Sequence, residues 1–285
     1  MSKSKGNVVT PLPLLETHGS DGVRYWAACG RPGTDTAVDE GQMKVGRRLA
    51  IKVLNASRFA LSRLAGGERL GAEAVTVALD RALLAELAQV VDEATASFDG
   101  YDYARALERT ETFFWTFCDL YVELVKGRAY EDSAAPGPAS ARAALGLALS
   151  VQLRLLAPFL PFVTEEVWSW WHEGSIHRAP WPTTAELPPP VAAPGAPAGA
   201  ADGGRGETVL GVVSEVLGAV RRAKTTAKRS MRAPVARLTV VDDPARLARL
   251  EAARSDLCDA GGILELVTRA GPTEVIVELA EEPTA

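Results

Sequence analysis

The sequence predicts a mainly α-helical protein: a helical bundle, preceded by a loop-rich stretch and followed by a small α+β tail. Three observations predict it. Apolar residues recur at helical spacing in four long segments after about residue 45. A Pro/Ala/Gly run interrupts the chain after them, and beyond that run helix-like and strand-like patterns alternate. The 285 residues, 47 % apolar and 24 % charged, have the balance of a globular protein with room for two domains. Lys plus Arg is 31 and Asp plus Glu is 36, so the net charge of −5 excludes a globally basic nucleic-acid coat.

Residues 1–44 are rich in Gly, Pro and Thr. Leu12 to His18 reads as a short helix closed by Gly19. Ser20 is placed to cap a second one through Val23, Tyr25 and Trp26, with Asp21 in its first turn. Residues 31–40 read as an extended loop.

The helical domain is expected over 45–182. Val45, Leu49, Val53, Ala56, Ala60 and Leu64 line one face of a long helix ended by Gly66-Gly67. Leu79, Leu83, Leu87, Val90 and Ala94 mark a second helix. Tyr103 to Leu124 carries a third, long and aromatic. Leu145, Leu149, Leu153 and Leu156 mark a fourth, stopped by Pro158 and Pro161. Thr164 is placed to cap a short helix whose first turn holds Glu165 and Glu166. Four such helices with modest connections predict a bundle.

Residues 183–206 read as a Pro/Ala/Gly linker. In 207–285, Val209, Val213, Val216, Val220 and Ala223 predict a helix, and the remainder a βαββ module. Its strands are expected at 237–241, 263–268 and 275–279, with Asp243-Pro244 opening the intervening helix.

Several chemistries are excluded. No stretch approaches the ~18 apolar residues of a membrane span, and Met1-Ser-Lys-Ser-Lys has no apolar run behind it to make a secretory signal. Cys29, Cys118 and Cys258 are far apart, which suits a reducing cytoplasm better than a disulfide framework or a zinc site. His18, His172 and His177 form no metal-binding pair, and no glycine-rich phosphate loop is present. No resident metal or organic cofactor is expected, and the chain is expected to be a monomer.

The segment Met1-Ser2-Lys3-Ser4-Lys5-Gly6-Asn7 sets two lysines about a hydroxyl before Gly-Asn. Such a loop suits transition-state charge on a polyphosphate, although short basic tails are common. It resembles the KMSKS signature of class I aminoacyl-tRNA synthetases without its first lysine. Gly19 to Trp26 resembles the GxDxxR[FY] helix that follows this signature. Lys52 to Phe59, Phe117 to Lys126, Leu156 to Trp168 and Ser175 to Pro182 resemble, in order, four further blocks of valyl-tRNA synthetases.

The resemblance implies the C-terminal part of a ligase that uses ATP, with Mg2+, to form valyl-adenylate and charge tRNA(Val). Lys3 would stabilise the transition state on the ATP phosphates, with Ser2 and Ser4 shaping the ATP-binding loop. The helical domain would bind the anticodon region. The nucleotide-binding half with its HIGH motif would be a partner outside this chain, so the chain alone is expected to be inactive. A stand-alone tRNA-binding paralogue acting in trans and a structural helical module remain as alternatives.

Two basic segments are candidates for tRNA contact. Lys44, Arg48 and Lys52 recur every four residues opposite the apolar stripe, with Arg47 and Arg58 nearby. Cations so placed contact phosphates or simply solvate a helix face. Arg221, Arg222, Lys224, Lys228, Arg229 and Arg232 form the densest cluster, with Arg221, Lys224 and Lys228 expected on one helix face. Phe113, Phe114, Trp115 and Phe117 are expected mainly in the core, and Trp168, Trp170 and Trp171 mainly in packing.

Overall fold

A computed structural model describes residues 10–64, 71–131, 133, 135–189 and 208–281. Ser2, Lys3 and Ser4 lie outside the described residues, as does most of the expected linker. The elements are α1 (Pro11–Ala28), α2 (Glu40–Arg63), α3 (Ala78–Asp99), α4 (Tyr103–Thr116), a π-helical turn (Phe117–Tyr121) and α5 (Val122–Tyr130). There follow α6 (Pro136–Leu156), α7 (Pro161–Trp168) and α8 (Val209–Thr226). The tail contains β1 (Val235–Asp242), α9 (Pro244–Glu251), α10 (Arg254–Gly261), β2 (Leu266–Ala270) and β3 (Glu274–Leu279). Among the described residues no helix is long and apolar enough to cross a membrane.

The chain divides into two compact units. The first takes its residues from 1–67, 88–114 and 146–186, the second from 68–87, 115–145 and 187–285. Three of the boundaries fall inside α3, α4 and α6, and each unit draws on three separate stretches of sequence.

In the first unit, α1 is two helical segments with Gly19 between them at φ 75°, a conformation glycine adopts without a Cβ penalty. Gly22 then faces α2 so closely that a Cβ would lie 2.9 Å from the Met43 carbonyl. α2 begins at Glu40, five residues before the apolar pattern starts. The Asp39 carboxylate caps it, accepting from the N–H groups of Gly41 and Gln42 at 2.8 and 3.2 Å.

The start of α7 departs from the expectation. Pro161 opens that helix, and Thr164 lies inside it with its hydroxyl donating to the Leu160 carbonyl at 2.8 Å. The orphan N–H groups of Phe162 and Val163 are instead satisfied by Asp21, at 3.1 and 2.8 Å. Burial pushes the Asp21 carboxyl above its usual range, while those two N–H groups and Arg24 pull it down. The core of the unit holds Leu49, Val53, Ala60, Leu107, Leu153, Leu156 and Val167, all nearly inaccessible.

The second unit takes up the chain at the last residues of α4, which run through the π-helical turn into α5, so the long third helix is interrupted by one wide turn. The predicted single helix of the tail is two, α9 and α10, with Ala252-Ala253 between them. β1 is the central strand of a three-stranded sheet in the order β2-β1-β3, parallel to β2 and antiparallel to β3. Leu238 pairs with Leu266 and with Val277, which sets the register on both sides. Val213, Leu217 and Val220 of α8 are buried with Leu238, Val240, Leu250 and Leu257 of the tail.

Candidate nucleic-acid interface

The α2 sequence carries six cations and one acid, Glu40. Met43, Gly46, Leu49, Val53, Ala56, Ser57 and Ala60 are buried along one side. Lys44, Arg48, Ile51, Asn55, Arg58 and Ser62, at helical spacing, form an exposed stripe. Among the described residues no carboxylate pairs with Lys44, Arg48 or Arg58. Arg47 is exposed too, but its guanidinium donates to the Thr17 carbonyl. Lys52 is half-buried.

The cluster at 221–232 is assembled differently. Arg221 Nη2 donates to the Asp119 carbonyl in the π-helical turn at 3.1 Å. Arg222, Lys228 and Arg232 are exposed, and Arg229 is half-buried. Lys224 departs from the surface position its charge suggested. It is 2 % exposed, and its ammonium donates to the carbonyls of Met231 and Gly261 at 3.0 and 2.7 Å. Burial holds its pKa below the usual lysine value. Lys228 lies beyond the end of α8 rather than on a shared face, in the left-handed region at φ 53°. The Arg229 N–H reaches back to the Lys224 carbonyl at 2.8 Å, closing a Schellman-type end.

One charged group in the second unit escaped the sequence reading. Arg128 Nη1 and Nη2 grip the Asp80 carboxylate at 3.0 and 2.8 Å, and its Nε donates to Asp256 at 2.7 Å. The Tyr121 hydroxyl and the Ser140 hydroxyl also donate to Asp80, at 2.8 and 2.6 Å. Ser140 in turn accepts the N–H groups of Thr76 and Val77, both at 3.0 Å. Burial pushes the Asp256 carboxyl above its usual range, opposed by Arg128. Asp80 is wholly buried, so this cluster joins α3, α5 and α10 within the fold and presents nothing to a ligand.

The remaining candidates settle into structural roles, with one exception. Phe113, Phe114 and Phe117 are buried. Glu165 and Glu166 belong to the last turn of α7, not its first. Glu165 accepts from the Ser175 hydroxyl and the Ile176 N–H, both at 2.9 Å. Trp168 is buried and stacks on His172 with ring centroids 3.6 Å apart. Trp170, expected in packing, is instead exposed. An open cleft of about 660 Å³ in the first unit is lined by Asp35, Asp39, Glu108 and Glu111 with Arg31. Its carboxylates repel phosphate, which separates it in character from the α2 stripe.

The model of the anticodon-binding domain of tRNA ligase matches residues 80–240. The chain is 59 % identical to the valine–tRNA ligase of Thermobifida fusca (strain YX), over 98 % of this chain and 30 % of that protein. It is 54 % identical to that of Salinispora tropica, over 98 % and 33 %. It is 43 % identical to that of Bifidobacterium longum (strain NCC 2705), over 100 % and 32 %. The chain thus spans about a third of the length of these relatives. Among solved structures it resembles the leucyl-tRNA synthetase in a ternary complex from Agrobacterium radiobacter K84, with a TM-score of 0.53 and 22 % identity. That likeness covers 65 % of this chain and 22 % of the other, and concerns the fold.

Proposed function

The chain belongs to the family of anticodon-binding domains of tRNA ligases, and on that premise we propose that it is the tRNA-holding portion of a valine–tRNA ligase. Its substrate in this role is tRNA(Val), and its setting is the cytoplasm. The observation that carries the reading is the α2 stripe, whose Lys44, Arg48 and Arg58 are exposed and without carboxylate partners among the described residues. Such cations release counterions from an RNA backbone on contact, which gives affinity without sequence preference. Arg222, Lys228 and Arg232 extend the cationic surface of the second unit. Arg47, Lys52, Arg221 and Arg229 stand beside these two groups.

In the complete enzyme ATP, with Mg2+, is a substrate that activates valine before transfer. Lys3 is the proposed transition-state cation, with Ser2 and Ser4 in the same loop. The catalytic half is proposed to lie in the remaining two thirds of the full-length relatives, which are about three times as long as this chain.

Filter binding of the purified chain to a valine tRNA transcript and to a transcript of another tRNA tests the reading. It expects tighter binding to valine tRNA, weakening steeply as salt rises. A flat salt dependence contradicts the α2 stripe as the contact surface, and equal affinity for both tRNAs contradicts the assignment to valine tRNA.

A further inference from the structure

Trp170 follows the end of α7 and is 37 % exposed, in contrast to the 7 % of Trp168 two residues earlier. Its indole is nevertheless held in place. Nε1 donates to Glu166 Oε1 at 3.1 Å, and the Arg58 guanidinium carbon lies 5.7 Å from the ring centroid. A guanidinium at that distance over an aromatic face is drawn to the ring quadrupole. Arg58 is also the last cation of the α2 stripe, roughly 21 Å along the helix from Lys44 at 1.5 Å per residue. Trp170, Arg58 and α2 all belong to the first unit. A row of exposed cations therefore ends at an exposed, oriented indole.

We infer that Trp170 and Arg58 form a stacking site for one unpaired base of an RNA. The indole receives the base face, and Arg58, besides fixing the ring, meets the phosphate next to that base. The inference rests on the tRNA-binding reading above and deepens it. Cations alone serve any phosphate backbone, paired or not. An exposed aromatic ring distinguishes unpaired nucleotides, because bases inside a duplex are already stacked and offer no face. The adjacent cations favour RNA over an apolar protein surface as the occupant, since such a surface would leave them idle.

The test uses the whole chain and two probes, a valine tRNA transcript and a fully paired RNA duplex of similar length. Trp170→Ala is expected to lose roughly tenfold in affinity for the tRNA and nothing for the duplex. Trp170→Phe should stay within about threefold of the parent on tRNA, because a phenyl ring still stacks. The salt slope of Trp170→Ala should match the parent, whereas Arg58→Gln should be shallower by about one. Circular dichroism confirms that each variant is folded. If the parent binds tRNA and Trp170→Ala binds it equally well, or loses affinity for both probes alike, the stacking site is wrong and the tRNA reading stands. If the parent binds no tRNA, both are overturned.

Discussion

Lys44, Arg48 and Arg58 of α2 stand exposed on one side of their helix, while Lys224, at the centre of the denser cluster, is buried with its ammonium on two backbone carbonyls. Arg221, beside it, donates to the Asp119 carbonyl. Arg128, on α5 of the same unit, is committed wholly to Asp80, Asp256 and the Gly137 carbonyl. The two basic segments look alike as strings of residues. They differ in how their exposed cations are arranged: Lys44, Arg48 and Arg58 share one helix stripe, whereas Arg222 lies on α8 and Lys228 and Arg232 beyond its end, with the buried Lys224 between them. Density of positive charge in a sequence measures neither exposure nor freedom from partners, and both decide whether a phosphate is bound.

If this contrast is right, mutations in the two places separate stability from binding. The largest effect belongs to Arg128→Ala, which leaves the Asp80 carboxylate buried without its cation. It is expected to destabilise the fold by about 3–5 kcal/mol, read as a lower midpoint in urea denaturation. A loss below 1 kcal/mol would mean that the carboxylate is not truly sequestered.

Lys224→Met comes next, at about 2 kcal/mol, because the carbonyls of Met231 and Gly261 lose their donor. The affinity of the folded variant for tRNA should be unchanged. The pH dependence sharpens the point. Burial lowers the Lys224 pKa, so the folded chain holds fewer protons than the unfolded one between that lowered value and the usual lysine range. Stability from this group therefore rises with pH through that window. The gap between the parent and Lys224→Met in urea midpoint should widen as pH rises from neutrality. A constant gap would place Lys224 in water.

The smallest effect is expected at Lys228, where a non-glycine residue occupies the left-handed region. Lys228→Gly should raise stability by about 1 kcal/mol or less, seen as a small increase in thermal midpoint. Because Lys228 is exposed, the same change should also make the salt slope of tRNA binding shallower by at most about one. A stability loss would show that the Lys228 side chain makes contacts that outweigh the strain.

Much of the fold was legible because it is periodic. The apolar stripe of α2 and its opposing cations follow from spacing alone, and Gly19 separates two helical segments where its position suggested. What escaped depends on distant partners. Thr164 looked like a helix cap by local rules, but Asp21, 142 residues from Val163, supplies the carboxylate. Arg128 finds Asp256 from 128 residues away, and no local pattern announces the pair. Lys224 did carry a signal. It continues the buried run of Val213, Leu217 and Val220 at helical spacing, so its position spoke for the interior while its charge spoke for the surface. Trp170 lies just past the end of α7, where helical periodicity no longer assigns a face.

The salt dependence of valine tRNA binding, compared between the parent chain and Lys44→Gln/Arg48→Gln/Arg58→Gln, tests the α2 stripe most directly. The expected slope of log affinity against log salt is shallower by about 2 to 3 in the triple variant, with affinity down on the order of 100-fold near 100 mM salt and the thermal midpoint unmoved. An unchanged slope in a folded triple variant would contradict the assignment of the α2 stripe to RNA.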